Sequence, residues 1–285
     1  MRRLKKTLKI LATLFAVLFL VFYALFVYFS QPQSDEQILK GFSESAFQPI
    51  LTQNNYRGFS YRLLKMQKDI DSLKPTIVFV HGTPGSALDF KEYLSDSLLN
   101  TKANLIAYDR IGYNYQDKYR TQASILFERN LLADLLKNLP ENNTVLVGYS
   151  YGGPVALAIT EPLIKLILLA PAAIGKEEVV PWAIHFYQWK LTRWMLPKIW
   201  KMASIEKLAH EKDLKKFEKN WVLNKNQILC IQGDEDQIVP YANSLALKSM
   251  FPSTQFQLKT LEGAGHGLIW SEFASIKNEL LKSID

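Results

Sequence analysis

Cysteine is nearly missing from this chain of 285 residues, with Cys230 standing alone. That excludes an intrachain disulfide and a cysteine-cluster metal site. Ile228, Leu229 and Ile231 give Cys230 an apolar, strand-like setting, which makes it a buried small hydrophobe and not a reactive thiol. Internal repeats and low-complexity blocks are also lacking. Charge of one sign is scarce once its source is located: Arg2, Arg3, Lys5, Lys6 and Lys9 supply most of the formal +7, leaving 29 Lys and Arg against 27 Asp and Glu. The positive charge is local, so no nucleic acid partner is expected. With 48% hydrophobic and 21% charged residues the chain is too apolar to be disordered, and one core domain of about 250 residues plus an appendage is expected.

The appendage is the run ILATLFAVLFLVFYALFVYF at positions 10–29, twenty residues without a charge. As a helix it would rise about 30 Å and cross a hydrocarbon core. A cleaved signal peptide has a shorter apolar region ending in small residues, whereas this run ends in Tyr28 and Phe29, followed by Ser30, Gln31 and Pro32. An uncleaved anchor is therefore the expectation. Five basic residues precede it and Asp35 and Glu36 follow it, so the N-terminus is expected to be cytoplasmic and the domain to lie on the non-cytoplasmic side. Tyr23 and Tyr28 suit either an interfacial belt or lipid-facing packing.

Residues 31–56 read as a linker or short helix. Beyond them, short apolar runs at 61–66, 76–80, 104–108, 144–148, 166–169, 228–232 and 255–258 alternate with helix-period segments at 88–99, 121–139, 151–160, 241–250 and 267–283. This is a βαβ pattern, and runs such as Ile77-Val78-Phe79-Val80 that are apolar throughout predict parallel strands covered on both faces. Between 176 and 222 the strand pattern gives way to a Trp-rich, Lys-rich helical stretch. The expected division is an anchor at 1–30, a linker at 31–56, an α/β core at 57–175 and 223–285, and a helical insertion at 176–222.

The chemistry collects at predicted strand ends. Gly148-Tyr149-Ser150-Tyr151-Gly152 is a G-x-S-x-G between a strand and a helix, the context of a nucleophile elbow. So tight a turn leaves no room for side chains at Gly148 and Gly152 and pushes Ser150 out above the sheet. The N-H groups of the helix that follows face the spot where negative charge grows during acyl transfer. Serine needs a base, and the order serine, acid, histidine is met by the carboxylates Asp234, Glu235 and Asp236 after one strand and His266 in a glycine-rich loop after the last. His185 and His210 fall in the insertion, where surface or packing roles are expected, and His81 ends an earlier strand.

Over about residues 57–285 the chain resembles the α/β-hydrolase superfamily. The resemblance rests on His81-Gly82-Thr83-Pro84-Gly85, Tyr108-Asp109-Arg110-Ile111-Gly112, Gly148 to Gly153, Gly233 to Pro240 and Gly265-His266, in the family's order. It implies a mostly parallel sheet with helices on both faces, a helical cap in the insertion, and Asp236 as the acid of a triad with Ser150 and His266. It also implies an oxyanion hole from the backbone N-H groups of Thr83 and Tyr151, with Asp109 and Arg110 in a structural role. Serine at the elbow disfavours the related epoxide hydrolases and haloalkane dehalogenases, which use aspartate there. The resulting expectation is a membrane-anchored serine hydrolase that cleaves a small-molecule or lipid ester, a carboxylesterase or lipase-like enzyme without metal or organic cofactor. A peptidase or amidase of the same fold and a non-catalytic ligand-binding module are the alternatives. Lys190, Arg193, Lys198 and Lys201 interleave with the tryptophans of the cap, which suits either a lid that touches lipid or a packed cap with a solvated basic face.

Overall fold

The computed structural model describes residues 2–116 and 120–284. The basic prelude and the uncharged run form one helix, α1 (Arg2–Phe29), exposed along most of its length. Among the described residues it is the one helix long and apolar enough to cross a membrane. A second, short helix, α2 (Asp35–Gly41), starts at a capping box: Ser34 Oγ accepts from the Gln37 N-H at 3.2 Å and the Gln37 side chain accepts from the Ser34 N-H at 2.8 Å. Ile38 and Phe42, each 1% exposed, hold this segment in the core.

Strand β1 (Ile50–Tyr56) pairs antiparallel along its whole length with β2 (Phe59–Lys65). The segment 31–56 is thus no free linker. It supplies a docked helix and the edge strand of the sheet, correcting the expected boundary at 57. After β3 (Thr76–Val80) come α3 (Lys91–Ser95), α4 (Ser97–Lys102), β4 (Asn104–Tyr108) and α5 (Ile125–Leu136). Then follow β5 (Thr144–Tyr149), α6 (Gly152–Leu157) and β6 (Lys165–Leu169). The insertion carries α7 (Ile184–Gln188), α8 (Lys190–Arg193) and the long α9 (Lys198–Phe217). The chain closes with β7 (Ile228–Gly233), α10 (Tyr241–Lys248), β8 (Phe256–Leu261), α11 (Leu268–Ser271) and α12 (Phe273–Ile284).

The eight strands lie in the order β1-β2-β4-β3-β5-β6-β7-β8, with β3 to β8 parallel. Because side chains alternate along a strand, the apolar run from Ile77 to Val80 in β3 feeds two cores. Val78 and Val80 pack with α5 and α6 on one face, while Ile77 and Phe79 pack with α3, α4 and α12 on the other. With both faces covered, the loops at the carboxyl ends of the parallel strands are left to build a site.

Candidate active site

Ser150 sits in the turn between β5 and α6 with φ +52°, a left-handed conformation unfavourable for a residue with a Cβ. Two glycines make the turn possible. A Cβ on Gly148 would lie 2.5 Å from the Gly152 carbonyl oxygen, and one on Gly152 would press into the Val80 carbonyl. His266, carried by the loop after β8, brings Nε2 to 3.0 Å from Ser150 Oγ, which donates to it. His266 Nδ1-H donates to Asp236 Oδ2 at 2.8 Å. The other Asp236 oxygen accepts the N-H groups of Ile238 and Val239, each at 2.9 Å, and Gln232 Nε2 donates to Oδ2 at 2.9 Å. Burial pushes the Asp236 carboxyl up, but the hydrogen bond and charge of His266 and the two backbone donors outweigh it, so the carboxyl is held below its usual range. The structure therefore brings together Ser150, His266 and Asp236, and of the three carboxylates open to sequence reasoning Asp236 is the one bonded to the histidine.

The His81–Gly85 loop runs beside the serine, close enough that a Cβ on Gly82 would lie 2.9 Å from Ser150 Cβ. Thr83 follows Gly82 in this loop and Tyr151 follows Ser150 in the chain, and among the described residues neither backbone N-H donates to a protein acceptor. His81 is structural. Its Nδ1-H donates to the Gly82 carbonyl at 2.8 Å, and its Nε2 accepts the Arg110 N-H at 2.9 Å. Burial, then the Arg110 charge, hold it well below the usual imidazole range, so it is neutral. Asp109 is structural too, accepting from Arg62 Nε at 2.8 Å and the Ala87 N-H at 2.8 Å.

Sequence reasoning missed a buried polar cluster that joins α9 to this loop. Glu206, on α9, takes Arg110 in a bidentate pair, NH1 to Oε1 and NH2 to Oε2, both 2.9 Å. Tyr113 OH donates to Oε2 at 2.7 Å, and the hydroxyls of Thr83 and Thr121 also donate to the carboxylate. Burial works against ionisation of Glu206, but the Arg110 charge and these donors outweigh it and hold the carboxyl below its usual range. One turn on, the His210 ring lies 4.6 Å from that of Tyr151, whose other neighbour is the Arg110 guanidinium at 4.5 Å. A faint signal exists in the sequence: Ala203, Glu206, His210 and Leu214, spaced by three and four, form the buried stripe of α9. Among the described residues no group of three or more His, Cys, Asp or Glu is arranged to hold a metal.

A serine at a strand-to-helix elbow with a histidine and a carboxylate after later strands belongs to the hydrolytic class of doubly wound α/β proteins. Comparison with known proteins identifies the family. Residues 77–274 match the model of the alpha/beta hydrolase family, and the chain belongs to that family. It is 30% identical over 152 residues to the uncharacterized hydrolase YugF of Bacillus subtilis, covering 50% of this chain and 54% of that protein. It is 31% identical over 126 residues to a proline iminopeptidase of Saccharolobus solfataricus, covering 42% of this chain and 38% of that one. These alignments thus span about half or less of the curated relatives. Among solved structures, an esterase from Exiguobacterium antarcticum superposes with a TM-score of 0.66 at 18% identity, over 82% of this chain and 99% of that one, which is a likeness of fold.

Proposed function

We propose that the protein is a membrane-anchored serine hydrolase that cleaves esters through an acyl-enzyme. The carrying observation is the continuous hydrogen-bonded line from Ser150 Oγ through His266 to Asp236. In this reading His266 takes the Ser150 proton as Oγ attacks the ester carbonyl. Asp236 fixes the imidazole tautomer and stabilises the imidazolium. The oxyanion falls to the N-H groups of Thr83 and Tyr151, at the start of α6. His266 then returns the proton to the leaving alcohol, and water, activated by the same imidazole, releases the acid. Residues 176–222 are the cap over this site, and α1 is the single membrane span, with the basic N-terminus cytoplasmic and the catalytic domain across the bilayer.

An ester is favoured over a peptide by the state of the carboxylates in the cap. Binding a free amine takes an uncommitted carboxylate near the serine, whereas Glu206 is saturated by Arg110 and three hydroxyls, Glu178 pairs with Lys207, and Glu177 pairs with Lys176. The likeness to a proline iminopeptidase keeps peptide substrates as the second reading. The test is to treat the full chain in detergent with a fluorophosphonate probe, comparing wild type with Ser150→Ala, and then to assay esters of rising chain length against aminoacyl amides. Labelling lost in Ser150→Ala, with turnover of esters alone, is expected. A folded wild type that does not label would overturn the nucleophile, and turnover of the amides alone would overturn the ester.

A further inference from the structure

We propose that residues 179–205 of the insertion form a second membrane-contact surface, seated among the phosphate headgroups and upper acyl chains of the bilayer that α1 crosses. The inference rests on the reading of α1 as a membrane span. Its first support is the shortness of the tether. Three residues separate Phe29 from Gln33, and the four steps between their Cα atoms span at most about 14 Å of chain. There the path is pinned, because Arg62 NH1 donates to the Gln33 carbonyl and to Asp35 Oδ1, both at 2.8 Å. With Ile38 and Phe42 buried just beyond, the domain lies against the end of α1 and not on a string.

The insertion is the part that meets α1. Tyr23 OH donates to the Met195 carbonyl at 2.9 Å, Trp200 Nε1-H donates to Ser30 Oγ at 2.9 Å, and the rings of Phe26 and Trp200 lie 6.0 Å apart. Tyr23 precedes Phe29 by six residues, about 9 Å along the axis. When the uncharged run fills the hydrocarbon layer, the Met195 to Trp200 segment lies beside the last two turns of the span. That is the depth of about 5–10 Å at which interfacial amphipathic segments rest.

What the surface offers at that depth fits lipid. Trp182, Trp189 and Trp194 are each at least 65% exposed and Leu191 is 86% exposed, four large apolar side chains that the described residues leave mostly uncovered. Across 179–205 there is no Asp or Glu, while Lys190, Arg193, Lys198 and Lys201 supply four positive charges. Tryptophan with basic residues is the composition of a surface that sinks its rings below the headgroups and keeps its charges among the phosphates. Trp200 and Glu206 share α9 six residues apart, so the lipid surface and the cluster beside Thr83 are about 9 Å apart along one helix.

The experiment uses the full chain reconstituted in phosphatidylcholine–phosphatidylglycerol vesicles, carrying Trp189→Cys, Trp194→Cys or, as a control, Leu73→Cys. Leu73 is 93% exposed in the loop between β2 and β3, at the sheet end opposite Ser150. Native Cys230 stays silent, since it is fully buried and burial pushes its thiol up to about 12. Each cysteine is labelled with nitrobenzoxadiazole, and quenching is read from lipids bearing a nitroxide at a shallow or a deep acyl position. The expected result is blue-shifted emission at 189 and 194, quenched several-fold more by the shallow nitroxide than by the deep one, with water-like emission at 73. Water-like emission at all three positions, with α1 resisting alkaline carbonate extraction, overturns the second contact and leaves the span intact. Release of the chain by carbonate overturns the span and this inference together. Blue-shifted but nitroxide-insensitive labels would assign the surface to a second copy or another protein, and overturn it as well.

Discussion

Glu206→Gln changes one charge in a cluster that water does not reach, and the structure sets how much that costs. Both side chains of the Arg110–Glu206 pair are 0% exposed. Glutamine keeps the size but presents an NH2 group to a site occupied by donors, so the guanidinium loses one of its two Glu206 acceptors and at least one of the hydroxyls of Thr83, Tyr113 and Thr121 loses its own. The nearest remaining anion is Glu128, with Oε1 3.9 Å from Arg110 NH1. Breaking one side of a buried ion pair costs about 3–5 kcal/mol, which at about 2–4 °C per kcal/mol lowers the unfolding midpoint on the order of 10 °C. The half-exposed pair Arg129–Glu161 is the comparison, where Glu161→Gln costs less than about 1 kcal/mol. Thermal unfolding of the full chain in detergent, followed by near-ultraviolet circular dichroism, measures both. Replacing the pair together, Arg110→Met with Glu206→Leu, recovers part of the loss because no charge is left stranded. A Glu206→Gln midpoint no lower than that of Glu161→Gln would refute the reasoning, since it would mean that the Arg110 charge is solvated in the folded protein.

Asp236→Asn leaves the fold in place but removes the acceptor that fixes the His266 tautomer, so kcat on an activated ester falls about 10⁴-fold with KM little changed; unchanged kcat would remove Asp236 from the mechanism. Gly148→Ala places a Cβ 2.5 Å from the Gly152 oxygen, and the elbow must open, costing about 1–3 kcal/mol in a urea titration and the alignment of Ser150 with His266; wild-type stability and turnover would show that the turn has slack. Burial, with the Asp109 charge adding to it, pushes Asp89 from 3.8 up to about 7, against the opposing Ser86 hydrogen bond and Arg110. The folded protein thus holds a proton that the unfolded chain has released. The contribution of Asp89 to stability is greatest below 3.8, falls as pH rises across that window and levels off above about 7. Asp89→Asn removes this fall, which denaturant midpoints at a pH inside the window and one above it will show.

The strands legible in the sequence are those buried on both faces. Ile77-Val78-Phe79-Val80 has to be apolar at every position because both cores draw on it, so it stands out without any knowledge of its neighbours. Strand β1 has no such duty. It lies at the sheet edge, only Tyr56 of its seven residues is buried, and Gln53, Asn54 and Asn55 are compatible with pairing to β2 because the pairing uses backbone groups. Its polar composition therefore reads as a linker. A short helix before it is open to the sequence but its docking is not, since Ile38 and Phe42 are two apolar residues in a polar stretch that Arg62 holds to the sheet through Asp35, 27 positions away.

The same distinction divides the site. The elbow is a local necessity: Gly148 and Gly152 are dictated by carbonyls within a few ångströms, so their spacing about Ser150 carries the geometry in the sequence itself. Asp236 and His266 are legible because each follows a strand whose end is fixed by the sheet. Glu206 is dictated by Arg110, 96 positions earlier, and α9 read alone is a Lys-rich helix in which one more carboxylate looks solvated. What distinguishes it is position and not type, since Glu206 and His210 stand on the stripe of α9 that should be apolar. Polar groups on a buried stripe require partners, because an unpaired buried charge costs more than the helix would gain by packing. In this chain those partners lie beside Ser150, and the seating of α9 therefore bears on the position of Thr83 as directly as the loop that carries it.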